Sequence, residues 1–335
     1  MRRLTPARLA TAGFVLLVVV AAILWVTPSG SYIFLPDEAH PVEPLVVVEG
    51  GKPPKDGGGI YFVDVFVRKA TLLERLFPGL HDGSTVVPAS AVRPPGISDA
   101  ARRSADLRAM SRSQTVAAAV ALRTLGYDVD ARPTGALIQQ IVAGAPAAGR
   151  LHPGDVVVSV DGHRIRTRDD LRRELGRPPA GSTVRLGVRR GTALRQIELK
   201  TAPDPRTGRP VIGVFVEQAT DVELPIDVTI RSGDIGGPSA GLPFALDILE
   251  ELGRDVDHGH RIAATGEIEL DGRIEPIGGV RQKTIGVERA GVKIFLVPAG
   301  DNAREATKYA RGLRIIPVRN FQQALRALAT LPARN

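Results

Sequence analysis

Two nearby stretches decide the fold and the chemistry of this chain: GDIGGPSAGLPFALDIL at residues 233–249 and AATGEIELDGRIEPIGGVRQKTIGVERAGVKIFLVP at residues 263–298. The first begins as a glycine-rich loop and continues as an apolar run, which predicts a helix. The second predicts a strand, a glycine turn and then another helix.

Ser239 is the candidate nucleophile in the first stretch. It stands where the loop enters the apolar run Leu242–Leu252, and the unpaired N–H groups at a helix start favour an oxyanion. Gly236 and Gly237 let the backbone approach a substrate closely, so these two residues and Ser239 are the candidate oxyanion donors. A serine at such a place is, taken alone, more commonly a helix cap.

Lys283 is the candidate base in the second stretch. At helical spacing, one face of the helix after Gly279 is formed by Val280, Lys283, Val287 and Ala290. A lysine within an apolar stripe either extends its amine to the surface or is desolvated, with a lowered pKa. A drop in the lysine pKa from about 10.4 to about 7.5 corresponds to about 4 kcal/mol and would let the neutral amine accept a proton.

Four motifs occur in order: Pro238–Gly241, Thr265–Ile268, Pro276–Gly279 and Val280–Ala290. They resemble the proteolytic domain of Lon peptidases closely. The resemblance implies a Ser239/Lys283 catalytic dyad, with Thr265 contacting and orienting the lysine amine. It also implies assembly as a homo-oligomer, a ring of six. Gly236 departs from the family, whose bacterial members usually carry an aspartate there.

Other chemistries fit the sequence less well. The G-x-S-x-G pattern around Ser239 also occurs in α/β-hydrolases, but the downstream histidines, His258 and His260, follow too soon to leave room for the intervening strands. Both are expected to be solvated turn residues, so no metal site and no cofactor are predicted. No G-x-x-x-x-G-K-[ST] loop occurs, which predicts a peptidase without the ATPase module of Lon.

A second block, residues 129–203, precedes this stretch. It contains GAPAAGRLHPGDVVVSVDG at 144–162, a capping box of Thr167 and Asp170, and two further strands. This order resembles the PDZ domain of exported bacterial proteases. The resemblance implies that a peptide's C-terminus is captured by Gly135, Ala136 and Leu137, with a side-chain pocket lined by Leu171 and Leu175. The alternative for the two leucines is a place in the core.

The residues before this block complete the expected fold. Leu45–Val48 and Ile60–Val67 predict a strand pair, and Ser98 caps a helix that ends near Gly126. Met110 and Ser113 in that helix match the M-x-x-S start of the corresponding Lon helix. We therefore predict an α+β fold in which the PDZ domain, a small β-barrel-like sandwich with helices, is inserted into a peptidase domain formed by residues 44–128 and 204–332.

The N-terminal segment Leu9–Val26 is apolar and uncharged and follows Arg2, Arg3 and Arg8. Its 18 residues span about 27 Å as a helix, which predicts one transmembrane helix or signal anchor with residues 1–8 in the cytoplasm and 27–43 as a linker. A cleaved signal peptide is the alternative. Both predict export, and the anchor places the catalytic part outside the cytoplasm at the cell membrane.

Composition limits the remaining classes of function. The chain has 335 residues, a net charge of +8 and no cysteine, which excludes thiol catalysis and disulfides. The arginines are scattered and aromatic residues make up 4%, so no nucleic-acid partner is expected. The predicted function is an ATP-independent serine endopeptidase that acts on exported or membrane proteins and uses its PDZ domain to select them. The alternative is a non-catalytic, membrane-tethered PDZ adaptor.

Overall fold

The computed structural model describes residues 6–52, 57–93 and 97–332, with side chains from Ala10 onward. The fold is a mixed α/β architecture with several separate sheets. Its described helices are α1 (Pro6–Val26), α2 (Leu72–Leu76), α3 (Ala89–Val92), α4 (Asp99–Thr124), α5 (Arg168–Leu175), α6 (Gly241–Glu251), α7 (Val280–Arg289), α8 (Asp301–Tyr309) and α9 (Phe321–Leu328).

The first half of the strands runs from the N-terminus into the PDZ-like block. These strands are β1 (Pro28–Pro36), β2 (His40–Pro41), β3 (Val46–Val48), β4 (Gly59–Phe62), β5 (Val65–Thr71), β6 (Thr85–Pro88), β7 (Asp130–Ile141), β8 (Val156–Val160), β9 (His163–Arg164) and β10 (Thr183–Arg190). The remaining strands are β11 (Ala193–Lys200), β12 (Ala202–Pro203), β13 (Pro210–Val211), β14 (Val214–Glu223), β15 (Val228–Ile230), β16 (Arg261–Ala264), β17 (Glu267–Ile268), β18 (Ile274–Glu275), β19 (Ile294–Pro298) and β20 (Arg314–Val318).

A five-stranded sheet in the order β2-β4-β16-β19-β20 carries the chemistry-bearing stretch. β4, β16, β19 and β20 are parallel to one another. Successive residues of β16 point to opposite faces, so that Ile262 joins the core formed with α4 and α6, whereas Ala263 joins the core formed with α7 and α8. The sheet therefore separates α6, which follows Ser239, from α7, which carries Lys283.

The PDZ-like block has a core of its own, drawn from residues 136–212. Its sheet has the order β11-β10-β8-β7-β14, with β9 paired to β8. The capping box of Thr167 and Asp170 at the start of α5 is confirmed. β14 continues this sheet to Glu223, which is 20 residues beyond the end expected for the block at residue 203.

Two expectations for the first part of the chain are wrong. The predicted pair of strands does not form, because β3 pairs with β15 and β4 pairs with β16. The expected linker at 27–43 contains β1, which lies between β5 and β6 in a three-stranded sheet. Ser31, Tyr32 and Ile33, three consecutive residues of β1, are buried, so this segment is packed against the rest of the chain.

The helices expected around residues 98–126, 242–252 and 280–290 are confirmed within one or two residues. Ser98 accepts a hydrogen bond from the N–H of Ala101 at 3.1 Å and so caps α4.

The N-terminal prediction has no support from the structure. Among the residues that the structure describes, no helix is both long enough and apolar enough to cross a membrane. Arg2 and Arg3, and the side chains of Arg8 and Leu9, lie outside the described part of the chain.

Candidate active site

Ser239 lies in a 3-10 turn, Pro238–Ala240, that leads directly into α6. Gly237, the residue before this turn, has a φ of +89°, a conformation that L-residues with a side chain rarely adopt. A Cβ on Gly241 would come within 2.7 Å of Ser113 Oγ, so the turn packs tightly on α4. The glycines on both sides of Ser239 therefore shape the turn, and Ser239 itself stays partly exposed.

The dipeptide Thr265-Gly266 holds the backbone of Ser239. The carbonyl of Ser239 accepts hydrogen bonds from the Gly266 N–H at 2.8 Å and from Thr265 Oγ1 at 3.1 Å. In return, the Leu242 N–H donates to the Gly266 carbonyl at 3.1 Å. The serine turn is thus fastened to the end of β16 from both sides.

Lys283 reaches Ser239 from α7 on the other side of the sheet. Its Nζ donates to Ser239 Oγ at 2.7 Å and to Thr265 Oγ1 at 3.0 Å. Thr265 Oγ1 accepts from the amine while donating to the Ser239 carbonyl, so one hydroxyl orients both residues. The three side chains named from the sequence as catalytic are brought together.

The amine of Lys283 is buried, with 3% of the residue exposed. Burial disfavours the charged form and lowers the pKa of Lys283 to about 8 from an ordinary value of 10.5, while the carboxylate of Asp64 opposes that shift. Of the expected inner face, Val280 and Val287 are also buried. The alternative, a lysine that extends its amine to the surface, does not occur.

The three candidate oxyanion donors differ in their partners. The N–H of Gly237 donates to the carbonyl of Asp106 on α4 at 2.8 Å, so in this conformation it is not free to bind an oxyanion. The N–H groups of Gly236 and Ser239 have no such partner among the described residues. Gly237 is therefore corrected from a donor to a residue that fixes the turn.

Gly236, where the resemblance led us to expect an aspartate, lies against Asp106. A Cβ on Gly236 would come within 2.9 Å of Asp106 Cβ and 3.3 Å of its carbonyl carbon. An aspartate at position 236 would therefore collide with α4. Burial raises the pKa of Asp106, while the neighbouring Arg102 and Arg103 lower it.

Helix α4 supplies two contacts that the sequence did not reveal. Ser113 Oγ donates to the carbonyl of Pro238 at 2.8 Å, next to Ser239. Arg112 forms an ion pair with Glu217 on β14 and approaches Glu267 on β17 to 3.4 Å. Arg112 therefore links the PDZ-like sheet to the hairpin that begins two residues after Thr265.

The residues expected to capture a peptide C-terminus lie inside the PDZ sheet and not at its edge. Gly135, Ala136 and Leu137 lie in β7, an inner strand: Ala136 and Leu137 pair with β8 on one side, and all three pair with β14 on the other. A peptide cannot add beside them, so this prediction is wrong. Leu171 and Leu175 are 1% and 7% exposed and belong to the core, as the alternative held. In the described chain, the free edge on this side of the sheet belongs to β14.

His258 and His260 lie in the turn between α6 and β16, as expected, and His260 contacts the carbonyl of Pro332 at 2.7 Å. Carboxylate oxygens of Glu250, near the end of α6, and of Asp255 and Asp257 in that turn lie within 4.8 Å of one another, a spacing that could hold a metal ion. Glu250 already accepts hydrogen bonds from two backbone N–H groups of the turn. This cluster is separate from Ser239 and Lys283.

Two family models match this chain, one over the PDZ-like block and one over the segment that carries Ser239 and Lys283. Residues 215–330 match the family model of the Lon protease (S16) C-terminal proteolytic domain, and residues 123–201 match that of the PDZ domain. Residues 215–330 therefore carry a domain of the Lon proteolytic type, and residues 123–201 carry a PDZ domain. Both domains expected from the sequence are confirmed.

Several curated relatives are Lon proteases. Lon protease of Chloroflexus aggregans is 34% identical over 125 residues, covering 35% of this chain and 15% of the relative. The Desulforamulus reducens enzyme is 44% identical over 95 residues, covering 28% and 11%, and Lon protease 2 of Bacillus subtilis is 35% identical over 98 residues, covering 29% and 17%. The match thus spans less than a fifth of these relatives' length.

Solved structures similar to this chain include PDZ domains from Listeria. The PDZ domain of the SdrC-like protein from Listeria innocua has 28% identity and a TM-score of 0.23, covering 24% of this chain and 92% of that one. The corresponding domain from Listeria monocytogenes has 24% identity and a TM-score of 0.24, covering 25% and 87%.

Proposed function

We propose that this chain is a serine endopeptidase that cleaves proteins without ATP, using Ser239 as nucleophile and Lys283 as general base. The observation that carries the proposal is the 2.7 Å hydrogen bond from a buried Lys283 Nζ to Ser239 Oγ. A nucleophile and a base within hydrogen-bonding reach, with a third group orienting the base, form the arrangement that nucleophilic catalysis needs.

The first half of the reaction forms an acyl-enzyme. Neutral Lys283 takes the proton from Ser239 Oγ while that oxygen bonds to the carbonyl carbon of the substrate. The oxyanion lies at the start of α6, where the N–H groups of Gly236 and Ser239 are candidate donors. The ammonium of Lys283 then gives its proton to the leaving amine as the C–N bond breaks.

The second half regenerates the enzyme. Lys283, neutral again, takes a proton from a water molecule whose oxygen attacks the acyl carbon. The bond between that carbon and Ser239 Oγ breaks, and the lysine returns the proton to the serine. Thr265 touches Lys283 Nζ and the Ser239 carbonyl, so it keeps the amine aligned through both halves.

The PDZ domain is proposed to select substrates through strand addition to β14. In the described chain β14 is the last strand of the PDZ sheet, so we expect an extended peptide to pair with its open edge. The nearby helix α5 begins after Arg166, whose carbonyl accepts a hydrogen bond from Gln218 Nε2 of β14 at 2.8 Å. The open edge is thus fixed beside the helix.

Export and membrane anchoring remain proposals that rest on the N-terminal sequence. The apolar run Leu9–Val26 after three arginines supports them. Action without ATP is supported by the absence of a phosphate-binding loop motif from the 335 residues.

Labelling with a fluorophosphonate or a peptide boronate tests the proposed function. Both reagents should modify the wild-type chain at Ser239 and spare Ser239→Ala. A properly folded wild-type chain that resists both reagents and cleaves no peptide would establish the adaptor function instead. Comparing processed extracellular proteins between wild type and Ser239→Ala would then identify the substrates.

A further inference from the structure

Asp64 is a partly buried acidic residue on the segment between β4 and β5, which runs along α7. A Cβ on Gly286 would lie 3.2 Å from Val63 Cγ2, and a Cβ on Gly279 would lie 2.8 Å from Val65 Cγ2. Val63 therefore packs against Gly286 of α7, and Val65 packs against Gly279, which caps the start of that helix. The carboxylate is held beside the stretch of helix between them.

Lys283 occupies the middle of that stretch. It follows Gly279 by four residues and precedes Gly286 by three, which places all three on one face of the helix. The carboxylate of Asp64 raises the pKa of Lys283, against the effect of burial. One oxygen of Asp64, Oδ1, is buried and has no hydrogen-bond partner among the described residues.

The other side of Asp64 is occupied by Asp37. The charges that act on Asp64 come from Asp37, Lys283 and His40. Burial and the like charge of Asp37 raise the pKa of Asp64, while Lys283 and His40 lower it. His40 lies at the surface, 3.9 Å from the Asp37 carboxylate.

Asp37 is itself fixed on α7 through Gly286. A Cβ on Gly286 would overlap the Asp37 carbonyl oxygen at 1.8 Å, so glycine is required for this approach. Two residues later, the Ala39 N–H donates to the Gly286 carbonyl at 3.4 Å. The acidic pair is therefore positioned by the same helix that carries the proposed base.

We propose that Asp64, held in place by Asp37, is the buried counter-charge of Lys283 and a positioning residue of the peptidase. This inference rests on the proposed function, because it concerns the lysine as general base. When Lys283 accepts the Ser239 proton, an ammonium forms in a buried site. The Asp64 carboxylate stabilises that ammonium, which makes proton removal from the serine more favourable.

The test is the pH dependence of kcat/KM on a short peptide for wild type, Asp64→Asn and Asp64→Glu. Without the carboxylate, the Lys283 amine loses its proton more easily, so the acidic limb of the profile should move down by about one pH unit. The rate on the plateau should fall by about tenfold, because the lysine is then a weaker base. Asp64→Glu keeps the charge and should recover much of both properties.

Glu38→Gln is the matched control, since it removes a similar charge from an exposed neighbour of Asp37 and should leave the limb in place. A second measurement uses the wild-type protein alone. The 13Cγ signal of Asp64 should shift as Lys283 titrates near pH 8, and Lys283→Arg should abolish that shift.

Two results would overturn the inference: an acidic limb that Asp64→Asn does not move, or an Asp64 signal that ignores the Lys283 titration. Thermal unfolding of each variant shows whether it keeps its fold. If Asp64→Asn does not fold, the 13Cγ signal of Asp64 in the wild-type protein decides. If Lys283→Arg keeps full activity, the proposed dyad fails. If Lys283→Arg is inactive and Asp64→Asn has a wild-type profile, the role of Asp64 alone fails.

Discussion

Lys283 Nζ and Ser239 Oγ are 2.7 Å apart, although the two residues are 44 positions apart in the chain and lie on opposite sides of the central sheet. The contact is made at the end of β16, where Thr265 bonds to both residues. Its short distance and its burial lead to predictions about rate, pH and stability.

Removing either member of the dyad should abolish turnover. Ser239→Ala and Lys283→Ala should each reduce kcat by about 10⁴-fold or more, and the double variant should be little worse, because the two residues act as one unit. Lys283→Arg should also be inactive, since arginine cannot deprotonate at usable pH. Thr265→Val should keep the fold and lose less activity. Full turnover by Lys283→Arg in a peptide assay would rule the mechanism out.

Activity should rise with pH. The base works only when neutral, and burial lowers the pKa of Lys283 to about 8, so kcat/KM should increase through that pH and level off above it. At pH 6 about one molecule in a hundred would have a neutral lysine. Stopped assays between pH 6 and 10 would show this limb. A profile that is flat across pH 7 to 9 would contradict a lysine base.

Lys283 should also cost the protein stability. Its pKa is about 8 in the folded chain and about 10.5 when exposed, so the unfolded state binds more protons between these values. The contribution of Lys283 to the free energy of unfolding therefore rises with pH between 8 and 10.5 and is lowest below 8. Lys283→Met should stabilise the chain by up to about 3 kcal/mol at pH 7 and by much less at pH 10.

Urea unfolding at the two pH values measures that difference. Lys293→Met removes the positive charge of the residue directly before β19 and serves as a control for a general charge effect. An equal gain for both variants at pH 7 would show that burial of Lys283 is not the cause.

Peptides should bind to β14. Hydrogen exchange with and without a peptide that has a free C-terminus should show new protection in Val214–Glu223, the edge strand. Gly135–Leu137 should change little, because their strand already lies between two others. An amidated peptide of the same sequence tests capture of the carboxylate. Protection confined to β7 would contradict this assignment.

Arg112 should contribute to stability by joining the two domains. Its side chain is 25% exposed and faces Glu217 and Glu267, so Arg112→Met would leave two half-buried carboxylates without their cation. We expect a loss of about 2 kcal/mol in the free energy of unfolding.

Arg103→Met is the matched control on the same helix. Arg103 is 61% exposed and pairs with Asp234 at 3.4 Å, so its removal should cost below about 1 kcal/mol. Equal losses for the two variants would show that the buried link adds nothing.

The sequence by itself determined the motifs and their chemistry. The glycines around Ser239, the apolar stripe around Lys283 and the TGE threonine are local patterns, and local patterns survive in any fold that keeps the helices and the strand. The same holds for the capping box of Thr167 and for the Ser98 cap of α4, because each is completed within three residues.

The tertiary structure alone decided which strands pair, which N–H groups stay free and which charges meet. β3 pairs with β15 and β14 extends the PDZ sheet because pairing depends on which edges come together, a property that no single stretch encodes. Gly237 gives its N–H to Asp106, and the charge of Asp64 raises the pKa of Lys283, in each case across a long separation in the chain. Burial, which makes the pKa of Lys283 low enough for a base, is likewise created only when both faces of the sheet are covered.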